Sequence, residues 1–302
     1  MKKVTVMNEC IKWLYDLIVG MVRPVKQTGK ASLDDNSLVA VKESIKKLQT
    51  EDPLVDSGDS WQKNRSKLRL MLLSRDLGAF LKWDVIKRTM IYNAPFKEYL
   101  GLRKNWSMWR TAIIEDIAGM PEPYKFNNRT SGTLVHHAYH LQQILRNYVD
   151  TITEFDKIIE FGGGYGSMCR LISNLGFTGE YIIFDLPEFS ILQKSYLNSI
   201  RNKPSNLSLV TKLDNLASFG KNHKKTLLIA TWSLSEAPLE IRKKFLELVN
   251  FDYALLAYQD TFDSVDNNAF FDALSNKNKL IKWKKIPIKH LPGNAYLIGF
   301  QE

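Results

Sequence analysis

Along the first 130 residues, apolar positions recur at helical steps. Val4, Met7, Ile11, Leu14, Ile18 and Met21 lie three or four apart, one face of a helix that Arg23-Pro24 should close. Leu38, Val41, Ile45 and Leu48 form a second stripe, ending at Asp52-Pro53. Trp61–Met90 mixes Lys and Arg with Leu, Met and Trp and reads as one or two helices with a basic outer face. Trp106–Ala118 reads as another, stopped by Gly119-Met120-Pro121. Such stripes ordinarily pack a core. The alternatives are a lid, a dimer surface or a membrane-facing patch.

From about residue 155 the pattern changes. Short apolar runs at Lys157–Phe161, Tyr181–Phe184, Leu207–Thr211, Thr226–Thr231 and Tyr253–Tyr258 read as buried strands. Met168–Leu175, Glu188–Ile200 and Pro238–Val249 between them read as helices. Strict alternation implies an α/β, doubly wound fold with a mostly parallel sheet covered on both faces. Leu280–Ile286 and Ala295–Phe300, joined by Pro287–Asn294, read as an antiparallel hairpin. The expected organisation is a helical N-terminal region over 1–130 (lid, substrate contacts or oligomerisation), then an α/β domain over 131–302.

Composition narrows the class. With 302 residues, 44% hydrophobic and 25% charged, the chain suits a globular protein and not a collagen-like, disordered or multi-span one. A net charge of +10 favours acidic partners: phosphorylated sugars, anionic lipid surfaces or nucleic acid. Cys10 and Cys169 form no zinc spacing and no disulfide framework, so a reducing, cytoplasmic setting is expected. Glu9, Lys12 and Asp16 break up Val4–Val22, which therefore reads as neither a signal peptide nor a membrane span.

The chemistry concentrates in Ile158-Ile159-Glu160-Phe161-Gly162-Gly163-Gly164-Tyr165-Gly166-Ser167. A strand ends on an acid, a glycine turn follows and a helix begins. Glycine opens backbone angles closed to other residues and lets a ligand approach the main chain. The dinucleotide pattern G-x-G-x-x-G fails at Ser167, and the Lys-Ser/Thr of a phosphate loop is missing. An acid two residues before the first glycine would repel pyrophosphate but attract a cation. S-adenosylmethionine carries an ammonium and a sulfonium and no phosphate. Asp185 ends the second strand, where a carboxylate takes both ribose hydroxyls in nucleotide folds. Its other reading is a helix N-cap ahead of Leu186-Pro187-Glu188.

Glu160–Gly166, Phe184-Asp185-Leu186-Pro187 and the strand order resemble the class I S-adenosylmethionine-dependent methyltransferases over roughly residues 130–302. More narrowly, Ile159–Gly166, Asp185–Glu188 and Trp232-Ser233-Leu234-Ser235-Glu236 resemble a bacterial sugar O-methyltransferase family. The resemblance implies a seven-stranded Rossmann-like sheet with a reversed last strand and S-adenosylmethionine as cofactor. It implies donor contacts from Glu160, Gly162, Gly163, Gly164, Gly166, Asp185, Leu186 and Thr231. In related methyltransferases the segment before the first strand closes over the donor's amino-acid end. That gives Tyr139 and His140 a role, with Arg129 for the donor carboxylate.

In open sheets ligands bind beyond the carboxyl ends of the strands. Loops starting near Gly162, Asp185, Thr231 and Tyr258, and the hairpin link Pro287–Asn294, should gather there. Ser233, Ser235 and Glu236 suit sugar hydroxyls and Trp232 a sugar face; alternatively Ser235 caps a helix. Gln259, Asp260, Asp263, Asp266 and Asn267 make an acidic stretch. Its oxygens suit an acceptor or Mg²⁺, or Asp266 and Asn267 simply cap Ala269–Leu274. Methyl transfer to a hydroxyl needs a proton acceptor. His290, in the hairpin link, is the first candidate, with Glu236 as the second catalytic residue. His223 sits in a lysine-rich loop. His136 and His140 share a helix face within Thr133–Val149, a pairing that suits metal but lacks a third ligand.

The leading function is O-methylation of a sugar hydroxyl in a nucleotide-sugar, glycolipid or polysaccharide precursor. Alternatives are a non-sugar small acceptor, a nucleic-acid-binding or RNA-modifying protein, and a non-catalytic binding module. The expected partner is an anionic small-molecule or glycan acceptor. Nucleic acid is not expected, while peripheral membrane contact and a homo-oligomer remain open.

Overall fold

The computed structural model describes residues 2–22, 35–51, 59–145, 147–202, 204–219 and 225–301. Arg23-Pro24, Asp52-Pro53 and His223 lie outside the described residues.

Seven strands form the central sheet: β1 (Lys157–Phe161), β2 (Glu180–Phe184), β3 (Leu207–Val210), β4 (Thr226–Thr231), β5 (Tyr253–Gln259), β6 (Lys282–Pro287) and β7 (Asn294–Phe300). Their order is β6-β7-β5-β4-β1-β2-β3. All pairings are parallel except those of β7, which runs antiparallel to both β5 and β6. This is the reversed last strand that the resemblance implies, in a doubly wound, Rossmann-like sheet. All five residues of β1 are buried, as a central strand covered on both faces requires. At the edge, β6 carries Lys282, Lys284 and Lys285, charges that keep an open strand from recruiting another chain.

Side chains alternate across the sheet. Ile158, Tyr181, Ile183, Leu227 and Ile229 face one core cluster, which continues through the helical region as far as Trp13. Ile159, Phe161, Ile182, Leu228 and Ala230 face the other, under Phe245 and Phe271. The first face is covered by α7 (Gly132–Leu145), α8 (Ser167–Asn174) and α9 (Pro187–Ser199). Onto these pack α2 (Asp35–Glu51), α3 (Asp59–Ser74), α5 (Phe96–Gly101) and α6 (Trp106–Ala112). One joint is ionic: buried Glu188 of α9 accepts from Arg65 Nε at 3.0 Å and Arg69 Nε at 2.5 Å, both on α3. The helical half and the sheet half thus share one continuous core.

The first stripe departs from the core-packing expectation. In α1 (Lys2–Val22), Met7, Ile11, Leu14, Ile18 and Met21 are exposed, while Trp13 and Leu17 are buried beside Glu9 and Asp16. Hydrogen bonding explains the inversion. Glu9 accepts from Ser107 N at 2.5 Å and Ser107 Oγ at 2.6 Å; Asp16 accepts from Trp106 Nε1 at 2.8 Å and pairs with Arg110. The second stripe behaves as expected, with Val41 and Ile45 buried.

Candidate active site

A cavity of about 1020 Å³ opens at the carboxyl ends of β1, β2 and β4. The chain's strand order reverses between β1 and β4, the switch point where open α/β sheets hold ligands. The glycine loop forms its floor. Gly162 has φ +72, and a side chain there would collide with Ser233 Cβ. Gly164 has φ +57 and faces the cavity, beside the Met90 side chain, whose sulfur lies 3.5 Å from where a Cβ would be. Gly166, at φ +98, caps α8 and stands outside the lining.

Two acids flank the loop, Glu160 buried and Asp185 half-buried. Glu160 accepts from Tyr181 Oη at 2.8 Å. Burial pushes its pKa up to about 8, the Tyr181 bond pulling down and the nearby Asp185 charge pushing further up. Asp185 accepts from Leu186 N and from Gln193 Nε2, each at 2.7 Å. Burial raises it to about 7 against those bonds and the Gly163 and Gly164 amides. Two neighbouring carboxylates, one buried and one half-buried, are costly to ionise without a cation. A ligand bearing positive charge and hydroxyl donors meets that need, so the residues present fit S-adenosylmethionine.

Trp232 begins the facing wall. Its φ of +65 is rare for a bulky residue. Its indole holds it there, donating to Asn294 Oδ1 at 2.6 Å and stacking on His136 at 5.5 Å and 18°. His136 also packs against Tyr92 at 3.8 Å between centroids. Behind this wall runs a chain of polar contacts that one set of protons satisfies. Tyr296 O–H donates to His140 Nδ1 (2.6 Å), His140 Nε2–H to His136 Nε2 (2.8 Å), and His136 Nδ1–H to Glu98 (2.9 Å). His290 Nε2–H closes the chain on Glu98 at 2.5 Å. Burial holds His136 and His140 neutral, each well below the ordinary histidine value. Burial also raises Glu98 to about 7, partly countered by His290.

Two further groups line the cavity. Burial raises the Glu236 carboxyl, against hydrogen bonds from Trp61 and Gln259. His137 is pushed by burial to about 4, and its Nδ1 has no partner among the described residues.

The structure gathers Glu160, Gly162, Gly163, Gly164, Asp185, Leu186, Thr231, Trp232, Ser233 and Glu236 around one cavity. The other expected residues lie outside that lining. His290 does not line it; its ring is engaged by Glu98, and the hairpin link reaches the cavity through Leu291 and Asn294. Arg129 is exposed on the strand Asn127–Ser131 and stands away from the lining, which Arg88 joins instead. Tyr139 and His140 sit behind the wall, His140 fully buried. The loop after β5 does not reach the cavity. Ser235 Oγ donates to Gln259 Oε1 at 3.0 Å, and Asn267 accepts from Arg242 Nη1 at 2.6 Å while donating to Gln259 O at 2.9 Å. Those three residues brace the turn that carries Glu236. Asp266 caps α12 (Asn267–Lys277) through Ala269 N. Among the described residues no cluster of three or more His, Cys, Asp or Glu is placed to hold a metal. None of the described helices is long and apolar enough to cross a membrane.

Sequence reasoning missed Trp61, Tyr92, Glu98 and the wall role of His136. Only His136 left a signal, its four-residue spacing from His140 on one helix face.

No family model and no curated protein matches the chain. Among solved structures, an rRNA methylase from Streptococcus thermophilus is 11% identical, covering 55% of this chain and 95% of its own, with a TM-score of 0.40. A SAM dependent methyltransferase from Aquifex aeolicus is 11% identical over 52% of this chain and 87% of its own, TM-score 0.41. A precorrin-6y C5,15-methyltransferase from Geobacter metallireducens is 14% identical over 55% and 88%, TM-score 0.37. Likeness this slight assigns neither activity nor substrate to this chain.

Proposed function

We propose that the protein is an S-adenosylmethionine-dependent O-methyltransferase acting on a sugar hydroxyl. The observation that carries the reading is the shared cavity: a glycine loop between buried Glu160 and half-buried Asp185 on one side, an aromatic wall with the half-buried Glu236 carboxyl on the other. Bound there, S-adenosylmethionine supplies a methyl group on a sulfonium, which leaves as a neutral thioether. Asp185 accepts hydrogen bonds from the ribose hydroxyls, and Glu160 meets the cationic end. Glu236 takes the proton of the acceptor hydroxyl as the oxygen–methyl bond forms. A carboxyl raised by burial is a better base near neutrality than an ordinary one. Trp61 and Trp232 offer flat apolar faces of the kind that sugar rings stack on, and Arg88 at the opening suits a phosphate on the acceptor.

Calorimetry tests the donor. S-adenosylmethionine and S-adenosylhomocysteine should bind with one site per chain, and NADH should not; the reverse would overturn the reading. Transfer of labelled methyl to a panel of nucleotide-sugars tests the acceptor. Label entering RNA and no sugar would replace the sugar assignment.

A further inference from the structure

On α1, Glu9 and Asp16 face the protein together with Trp13 and Leu17, and a second, wholly apolar stripe faces out. Glu9 and Asp16 are held by Ser107, Trp106 and Arg110, and Lys12 reaches back to Ser107 Oγ at 3.0 Å. Gly20 lies so close to Asn127 that a Cβ would sit 2.9 Å from its Oδ1. The orientation of the helix is therefore locked. Its outer face carries Met7 (58% exposed), Ile11 (58%), Leu14 (51%), Ile18 (55%) and Met21 (52%), with Tyr15 (62%) alongside. A continuous apolar patch of this size on a surface marks an interaction site.

The spacing says what fits. From Met7 to Met21 the steps are four, three, four and three, a 3.5-residue repeat that draws a straight seam for another helix. Ile11 and Ile18 fall at one heptad position, and Met7, Leu14 and Met21 at the other. Ile at the first position with Leu or Met at the second, in this order, favours two parallel strands. The flanking Asn8, Cys10 and Tyr15 carry no charge, so two identical faces meet without like-charge repulsion. An interfacial membrane helix would instead line its edges with Lys and Arg. Lys12 turns back to the body.

We propose that α1 is a homodimer seam: two copies of the chain pair through it as a parallel, in-register, two-stranded coiled coil. The pairing is isologous, related by a two-fold axis along the helices. It goes beyond the methyltransferase reading and does not depend on it.

Sedimentation equilibrium of the full chain tests the proposal. The wild type should be a dimer at micromolar concentration. The double variant Leu14→Lys, Ile18→Lys should be monomeric and still folded, with the wild-type far-UV circular dichroism spectrum, because both side chains are exposed in the single chain. On a Cys10→Ser background, Met21→Cys should oxidise to a covalent dimer, as an in-register parallel seam requires. A wild-type monomer throughout the range, or a dimer that survives the double variant, would overturn the proposal. So would a monomer that co-sediments with phosphatidylglycerol vesicles through Leu14 and Ile18, which would make the face a membrane contact. Donor binding measured on the same samples reports separately on the methyltransferase reading.

Discussion

On one side of the cavity, Glu160 to Gly164 and Asp185-Leu186 supply both acids and the glycine floor from two short segments at strand ends. On the other, Trp61, Tyr92, His136, Trp232, Glu236 and Asn294 come from five separate stretches, two of them in the helical half. The first side is local: a strand end, a turn and a helix start build it with little help. The second exists only once the helical half has docked, through the shared core and the Glu188 ion pairs. Donor recognition should therefore survive damage that abolishes transfer, and four experiments can break or sharpen that division.

The largest effect should come from Glu236→Gln. Loss of a general base typically costs 10²–10⁴-fold in rate. Turnover should fall by about that factor, with donor affinity by calorimetry within about twofold of wild type; a matching loss of affinity would make Glu236 a donor contact. Next is Glu188→Ala, which removes the carboxylate that buried Arg65 and Arg69 share. Removing one partner of a buried ion pair costs about 3–5 kcal/mol, a loss readable by chemical denaturation. Hydrogen exchange should rise first in α2 and α3 and last in β1; uniform loss would show that the two sides do not separate.

Asp185→Ala removes the charged acceptor for the ribose. Hydrogen bonds to a charged group are worth about 1.5–3 kcal/mol, so donor affinity should fall by roughly 10- to 150-fold. A change no greater than that of a surface variant would leave Asp185 as a brace for Leu186 and Gln193 alone. The smallest effect is on pH. Glu160 and Asp185 keep their protons to about 8 and about 7 in the folded, ligand-free protein, whereas the unfolded chain releases them in the ordinary carboxylate range. Their contribution to stability therefore declines as pH rises between those limits. A cationic donor prefers the ionised acids, so its affinity should climb over the same interval, and less steeply in Glu160→Gln. Equal slopes for the two proteins would remove Glu160 from the cationic end.

The same division explains what the sequence disclosed. Strands β1 and β4 could be read to the residue, and the others to within two, because buried parallel strands are apolar runs bounded by turn residues. The glycine loop and Asp185 could be read because their chemistry is contiguous. His290 could be placed on the correct hairpin link but not given its partner, since Glu98 sits 192 residues away in an unremarkable helix. Gln259, Asn267 and Ser235 look like acceptor ligands in one dimension; only Arg242 in three dimensions turns them into a brace. The α1 stripe has a core-like period, yet Glu9 and Asp16 decide which side turns inward, and their partners lie on α6.

The most direct test is a crystal structure with S-adenosylhomocysteine bound. The account predicts its ribose hydroxyls on the Asp185 carboxylate, its amino group on the Glu160 side of the Gly162–Gly164 loop, and its sulfur facing the space between Trp232 and Glu236. The compound lodged elsewhere, or a phosphate-bearing coenzyme occupying that loop in its place, would contradict it.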